Sequence, residues 1–275
     1  MRPLTALAVA VAAFAWSGSA LAGPPASGFL VFKESRAGAV TELRADGSGR
    51  LLAREAVHAK AKAGKKHRAE DCRDASNAPF GATWPTMRPR YLVNSASTPA
   101  GLDRQKTLEQ IRRSHDAWRF PFVTDCKRPR PSTPQKSYRP VYGGETTRLA
   151  SLVAWLERDG VNTVAFQSLE GTVCDGASAC VIVWFDGGDI LEADLAFEPD
   201  LTRYGLADFW TNDERTWWDD LGGEWAIMDV ATHEFGHFAG LDHVWDSPAL
   251  TMFPFVHDGA QTLGLGDMLG MHAMY

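Results

Sequence analysis

The chain has 275 residues, of which 45% are hydrophobic and 23% are charged, and its formal net charge is −6 at pH 7. This composition is typical of a globular protein with a core, and the length fits one domain with an appendage. Because there is no basic excess, the charge does not support nucleic-acid binding or attraction to an anionic membrane.

An export signal is predicted for residues 1–22. An apolar run from Leu4 to Trp16 is followed by small residues that end in Ala20-Leu21-Ala22, which has the A-x-A form of a signal-peptidase site. The alternative is a membrane anchor, but this run is shorter than the ~20 residues that span a bilayer. We therefore expect a mature protein that begins at Gly23 and is secreted, to the extracellular space or to a periplasm.

Residues 23–80 are predicted to be a separate N-terminal segment before the main domain, residues 81–275. The stretches GFLVFKES and AVTELRADGSGRLL favour strands around a turn at Asp46-Gly47. The basic stretch 58–68 follows them. Two interpretations of this stretch stay open: a solvated linker, or the tail of a propeptide that is exposed to processing proteases.

The four cysteines are an even number in an oxidising compartment, which favours disulfides: Cys72, Cys126, Cys174 and Cys180. Three pairings are formally open. Cys174 and Cys180 bracket a turn-like loop, DGASA, which favours a local bond between them. That pairing leaves Cys72 for Cys126.

From about residue 81 the pattern is that of a compact α+β unit. A strand is expected at 90–94. An amphipathic helix is predicted from apolar residues at helical spacing, Leu108, Ile111 and Trp118. Residues 127–144 are rich in proline and are predicted to be a loop or insertion. A second helical face follows, formed by Leu149, Leu152, Val153 and Leu156.

Strands are predicted at 162–169 and 180–185, and a third strand at 190–197 alternates cleanly. Its apolar residues face one side: Leu191, Ala193, Leu195 and Phe197. Glu192 and Asp194 face the other side. One buried and one solvated face is typical of a strand near a sheet edge. A connection rich in aromatic residues, 209–225, follows the third strand. Two interpretations stay open: its aromatic side chains pack in the core, or they form the wall of a binding cleft.

The stretch ATHEFGHFAGLDH, residues 231–243, continues an apolar helical pattern. His233 and His237 are one turn apart, so both imidazoles project from the same helix face. Gly240 is a favourable place to end the helix, because glycine adopts the left-handed conformation without strain. The chain can then turn back and bring His243 to the same point.

Three neutral imidazoles leave one tetrahedral position of Zn²⁺ open, as in catalytic zinc sites. Zinc lowers the pKa of water from 15.7 to about 7. Glu234, about 100° around the helix axis from His233, can take the proton from this water and return it to a leaving amine. This pattern predicts peptide hydrolysis. The alternative is a secreted binding or adhesion module with a structural zinc, which does not need Glu234.

The run HEFGHFAGLDH resembles the metzincins, and among them the matrixins, through the pattern H-E-x-x-H-x-x-G-x-x-H. The resemblance extends over about 81–275. It implies an α+β domain with a twisted mixed sheet, an active-site helix, a methionine turn and a C-terminal helix. By this resemblance, Met252 lies beneath the zinc and Pro254 forms part of the substrate pocket. Residues 190–197 are similar to the edge strand that binds substrate as an added antiparallel strand.

Some positions depart from the family pattern: Phe253 replaces a common tyrosine, Val244 follows the third histidine, and Gly266 replaces the first of two aspartates. The chain lacks a P-R-C-G-x-P-D run before the domain. Cys72 lies in EDCRD, where carboxylates disfavour a zinc-seeking thiolate. A disulfide is therefore preferred at Cys72 over a thiol switch.

The implied protein is a secreted zinc endopeptidase that acts on polypeptides as a monomer and holds one catalytic zinc ion. Calcium, bound through Asp186, Asp189 or Asp194, is a further expectation. The other histidines form no second cluster in the sequence: His58, His67, His115, His257 and His272.

Overall fold

A computed structural model describes ten stretches of the chain, residues 28–34, 39–45, 51–57, 70–129, 137–152, 158–202, 209–213, 217–219, 222–255 and 260–275. The predicted signal peptide at 1–22, the turn at Asp46-Gly47 and the basic stretch 58–68 lie outside these residues. No helix among the described residues has both the length and the apolar character needed to cross a bilayer.

Eight strands form one mixed sheet. They are β1 (Gly28–Glu34), β2 (Ala39–Ala45), β3 (Leu51–Val57), β4 (Arg90–Asn94), β5 (Val141–Glu145), β6 (Asn162–Phe166), β7 (Ala179–Asp186) and β8 (Asp189–Phe197). Their order across the sheet is β3-β2-β1-β7-β8-β6-β4-β5. Four neighbouring strands, β8, β6, β4 and β5, are parallel to one another. β7 pairs antiparallel with β8 on one side and with β1 on the other.

Among the described residues, three α-helices of ten or more residues accompany the sheet: α1 (Arg104–Ala117), α2 (Ile227–Ala239) and α3 (Leu265–Met274). A short 3-10 helix (Ser95–Ser97) follows β4. A smaller sheet lies before α2 and contains β9 (Trp210–Thr211), β10 (Trp217–Asp219) and β11 (Gly222–Ala226). The mixed sheet and these helices confirm the predicted α+β fold with a long histidine-bearing helix and a C-terminal helix.

The core between α2 and the sheet is built from alternate residues of β7. Val181 and Val183 pack with Phe235 and Phe238 of α2 in the main apolar cluster. Residues on the opposite face of β7, including Ile182 and Trp184, belong to a second cluster. Because β7 alternates between two buried faces, the helix is supported by a strand that is itself covered on both sides.

The expectation of a wet face on the 190–197 strand is wrong. β8 lies inside the sheet, between β7 and β6, and Glu192 and Asp194 are 0% and 1% exposed. Backbone N–H groups of Asp159 and Gly160 donate to Glu192, at 3.0 and 2.5 Å. Carboxylates at alternate positions of a strand usually indicate a face exposed to solvent. Here backbone N–H groups, and not water, satisfy the two buried carboxylates. Among the strands of the predicted main domain, β4 to β8, the outermost strand is β7, and its other side pairs with β1 of the N-terminal segment.

Two other predicted elements differ from the structure. The predicted loop at 127–144 ends in a strand, because β5 begins at Val141 and pairs with β4. The described part of the predicted helix at 149–156 is residues 149–152, and these are not helical. Residues 153–157 lie outside the described stretches.

Both disulfides join the pairs that the sequence favoured, Cys72 with Cys126 and Cys174 with Cys180. No cysteine is free, so Cys72 offers no thiolate to a metal in this structure. The Cys72 bond ties the residues just before the predicted domain boundary at 81 to the main fold.

Candidate metal centre

The three histidines of the HEFGHFAGLDH run converge on one point. The Nε2 atoms of His233 and His237 are 3.1 Å apart, those of His237 and His243 are 3.1 Å apart, and those of His233 and His243 are 3.2 Å apart. These are the only three His, Cys, Asp or Glu residues among the described positions whose ligand atoms group closely enough to hold a metal ion.

The geometry fits zinc. Two nitrogens of a tetrahedral zinc site with Zn–N bonds of about 2.0–2.1 Å lie about 3.3–3.4 Å apart, close to the spacing seen here. Neutral imidazoles whose Nε2 lone pairs face each other at this distance repel one another unless a cation lies between them. Burial, and after it the neighbouring His243 and His233, lowers the pKa of His237 well below its ordinary value, which keeps this imidazole neutral for a metal.

Backbone carbonyls orient two of the rings. Nδ1 of His233 lies 2.6 Å from the carbonyl oxygen of Thr251, and Nδ1 of His237 lies 2.8 Å from that of Leu241. A carbonyl only accepts, so the proton is assigned to Nδ1 in both rings and Nε2 is left as the inward ligand atom.

α2 ends where the sequence predicted. Gly240 has φ +110°, and a Cβ there would lie 2.8 Å from the carbonyl oxygen of Ala82. Phe80 N–H donates to the carbonyl oxygen of Gly240, at 3.0 Å. The chain just before and after the predicted boundary at 81 therefore supports the turn that leads to His243.

Glu234 follows His233 on the same helix and is 0% exposed, as are His233 and His237. The metal-facing imidazoles and the acidic side chain next to them in the chain are therefore all buried. In such surroundings electrostatic interactions are stronger than in water.

The predicted methionine turn lies directly beneath the helix. A Cβ on Gly236 would be 2.1 Å from Sδ of Met252 and 2.7 Å from Cζ2 of Trp118. Val244 N–H donates to the carbonyl oxygen of Met252, at 2.8 Å. Gly236 is the close-approach position that sequence analysis missed, although a glycine inside an apolar helix was the available signal.

Asp267 is a second residue that sequence analysis missed. Its buried carboxylate accepts backbone N–H groups of Thr251 at 3.0 Å, Met252 at 3.2 Å and Gly264 at 2.9 Å. Burial raises its pKa in spite of these donors. Asp267 thus connects the methionine turn to the start of α3. In the sequence, the only indication of this role is that Asp267 is the second residue of the position pair in which the family has two aspartates.

The departure at Gly266 has a steric cause. A Cβ there would lie 1.9 Å from the carbonyl oxygen of Ser76 and 2.6 Å from Cδ1 of Leu250. Residues 70–80 pack against α3, so an aspartate cannot fit at this position.

Pro254, the remaining predicted pocket residue, is buried at the turn. Phe253, which replaces the common tyrosine of the family, is 5% exposed. In the aromatic connection, Phe209 and Trp210 are buried, and Trp210 Nε1–H donates to the carbonyl oxygen of Glu198, at 2.8 Å. For these two side chains, core packing is the better interpretation.

The other predicted ligands lie elsewhere. Asp194 accepts N–H groups of Ser151 and Thr163, at 2.5 and 2.7 Å, and Asp186 pairs with Asp189 across the β7–β8 turn. Calcium at these positions stays a prediction. His115 and His272 pack against aromatic rings, 4.1 Å from Tyr91 and 5.3 Å from Phe122 respectively. His58, His67 and His257 lie outside the described residues.

Phe32 of β1 covers the histidine trio. Its ring is stacked on His237 with centroids 3.8 Å apart and an interplanar angle of 3°. It meets His243 edge-on at 5.8 Å. The sequence pattern predicts a strand here, but no feature of that pattern indicates contact with the metal centre.

Comparison with known proteins agrees with this geometry. The matrixin family model matches residues 179–275. Interstitial collagenase from Bos taurus is 34% identical over 89 residues, which make up 32% of this chain and 18% of the collagenase. The chain thus matches less than a fifth of that relative's length.

The matched stretch contains the histidine helix, the turn at Met252 and α3. The chain is therefore similar to the matrixin family over residues 179–275.

Proposed function

We propose that the protein is a secreted zinc endopeptidase that hydrolyses peptide bonds in polypeptides. The observation that carries this proposal is the convergence of three imidazole Nε2 atoms, 3.1–3.2 Å apart. Glu234, the residue after His233 on the same helix, is buried with them. Two disulfides support an oxidising compartment. The predicted signal at 1–22, removal of 23–80 and a domain at 81–275 belong to the same proposal.

In this proposal, His233, His237 and His243 hold the zinc ion, and Thr251 and Leu241 fix the first two rings. Zinc, when bound, supplies a Lewis acid that polarises a carbonyl and acidifies water. Glu234 takes the proton from the attacking water onto a carboxylate oxygen. It then delivers that proton to the nitrogen of the leaving amine, which completes the hydrolysis.

Substrate is proposed to bind along β7, the outermost strand of the main domain, by adding an antiparallel strand. This corrects the sequence-based assignment of that role to the 190–197 strand. β8 lies between two strands of the main domain, whereas the outer side of β7 pairs only with β1 of the N-terminal segment. Met252 supports the floor of the centre, and Phe253 and Pro254 contribute to the wall of the adjoining pocket.

The test compares Glu234→Gln with the wild type, both purified from the medium with their N-termini determined by sequencing. Casein cleavage should fall by about 10²–10⁴-fold without its general base, while about one zinc per chain is retained. Glu109→Gln, at an exposed position of α1, is the matched control and should cleave normally. A chelator should abolish cleavage by wild type and control alike.

A non-catalytic binding module with a structural zinc predicts a different outcome. Wild type and Glu234→Gln would then both retain zinc, and neither would cleave casein or gelatin. Loss of zinc from Glu234→Gln would instead assign that carboxylate to the metal site itself.

A further inference from the structure

The strand β1 occupies the edge at which a substrate strand would bind. All seven residues of β1 pair antiparallel with β7, from Gly28 opposite Phe185 to Glu34 opposite Ala179. An added strand gains its affinity from main-chain hydrogen bonds, which one edge can offer to only one partner at a time. A polypeptide substrate and β1 therefore compete for the same edge.

The same register carries Phe32 onto the metal centre. Phe32 pairs with Val181 and is 1% exposed. Besides its stacking on His237, it lies 6.1 Å from the ring of Phe80. With Phe32 in place, His243 is 2% exposed and Glu234 is 0% exposed. The described residues therefore leave almost no surface of His243 or Glu234 accessible to water or to a substrate carbonyl.

From these observations we infer that the N-terminal segment, β1 to β3, is a built-in inhibitor that fills the substrate edge and caps the metal centre with the aromatic ring of Phe32. This inference rests on the proposed function. The cap uses no metal-binding thiol, because all four cysteines are paired in disulfides. The segment blocks by strand addition and aromatic packing.

The connectivity indicates how the block is released. In the sheet, β2 and β3 reach β7 only through β1, and the chain is anchored to the main fold again at the Cys72–Cys126 bond. A cut in the basic stretch 58–68 would therefore leave β1–β3 held by non-covalent contacts alone. A cut after Cys72 would leave the segment tethered through the disulfide.

Occlusion is tested first without activity, on full-length chains carrying Glu234→Gln so that they cannot process themselves. Zinc-loaded protein is mixed with a chromogenic chelator and the rate of zinc transfer is measured. Phe32→Ala removes the cap, and Val31→Pro removes a ladder N–H from a strand that is paired on both sides. Each should speed zinc transfer by about tenfold or more. Leu52→Ala, in the outer strand β3, is the control and should stay within about twofold.

Hydrogen exchange gives a second measurement that does not depend on any variant. β7 backbone amides should be protected in the intact chain and should exchange faster after a cut within 58–68. Two results would overturn the inference. One is zinc transfer that is as fast from the intact parent as from both variants, and the other is a set of β7 amides that are already unprotected in the intact chain.

Activity is then measured with Glu234 restored, using a quenched fluorescent peptide and confirming that the N-terminus is uncut. Intact Phe32→Ala should hydrolyse at least about tenfold faster than the intact wild type. Equal hydrolysis by both intact forms would refute the inhibitor while leaving the protease assignment in place. Faster zinc transfer with no hydrolysis by any form would refute the protease assignment and leave the occlusion in place.

Discussion

Replacing Gly236 by alanine sets helix propensity against packing. Alanine is favoured over glycine by about 1 kcal/mol inside a helix, so local propensity predicts a more stable protein. In the structure, the new Cβ would lie 2.1 Å from Sδ of Met252 and 2.7 Å from Cζ2 of Trp118. Carbon and sulfur atoms in contact need about 3.5–4 Å, so Met252 has to retreat by about 1.5 Å.

That retreat is resisted, because Met252 is 1% exposed and Trp118 is 0% exposed. Overpacking of this kind costs about 1–3 kcal/mol, and more when the neighbours cannot move. After subtraction of the propensity gain of about 1 kcal/mol, we expect Gly236→Ala to lower the free energy of unfolding by up to about 2 kcal/mol. Zinc affinity should fall as well, since the backbone of Met252 is bonded to Val244, next to His243.

The assay is urea unfolding followed by tryptophan fluorescence, with zinc and again with excess chelator, together with chelator competition for zinc. Gly188→Ala is the control, because nothing lies within 4 Å of its added Cβ, and it should change stability by less than about 0.5 kcal/mol. Met252→Ala should relieve part of the clash in the double variant. A Gly236→Ala protein about 1 kcal/mol more stable than wild type would show that the steric argument is wrong.

Three further predictions concern the supporting structure. Burial raises the pKa of Glu192 from 4.5 to about 7. The folded state therefore holds this proton more tightly, and stability should fall as pH rises from about 4.5 to 7, by at most about 3 kcal/mol and by less where solvent screens the carboxylate. Urea titrations of wild type and Glu192→Gln at several pH values check this, and a slope that the substitution leaves unchanged contradicts it. Tyr275→Phe removes the hydroxyl that donates to the carbonyl oxygen of Ala239 at 2.7 Å, and should cost about 1–3 kcal/mol in urea unfolding; a change within error would mean that water replaces the bond. Replacing Cys72 and Cys126 together by serine opens a loop with a sequence separation of 54. The chain-entropy model predicts that the free energy of unfolding falls by about 4 kcal/mol, and an unchanged value in urea unfolding would contradict it.

The sequence alone was sufficient for the ligand-bearing helix. His233 and His237 are held by the pitch of one helix, and Gly240 has the left-handed conformation (φ +110°) that the predicted helix end requires. These are local relations, set by backbone geometry within a few residues. The amphipathic helix α1 and the strands β6 to β8 were predictable for the same reason.

Tertiary structure decided which strand forms the edge and what covers the metal centre. Alternation in 190–197 defines two faces, but it cannot say whether backbone N–H groups or solvent satisfy Glu192 and Asp194. Nor does any local pattern connect Phe32 with His237, which are more than 200 positions apart in the chain. Their contact exists because β1 pairs with β7 in one register, and long-range pairing of this kind depends on the whole sheet.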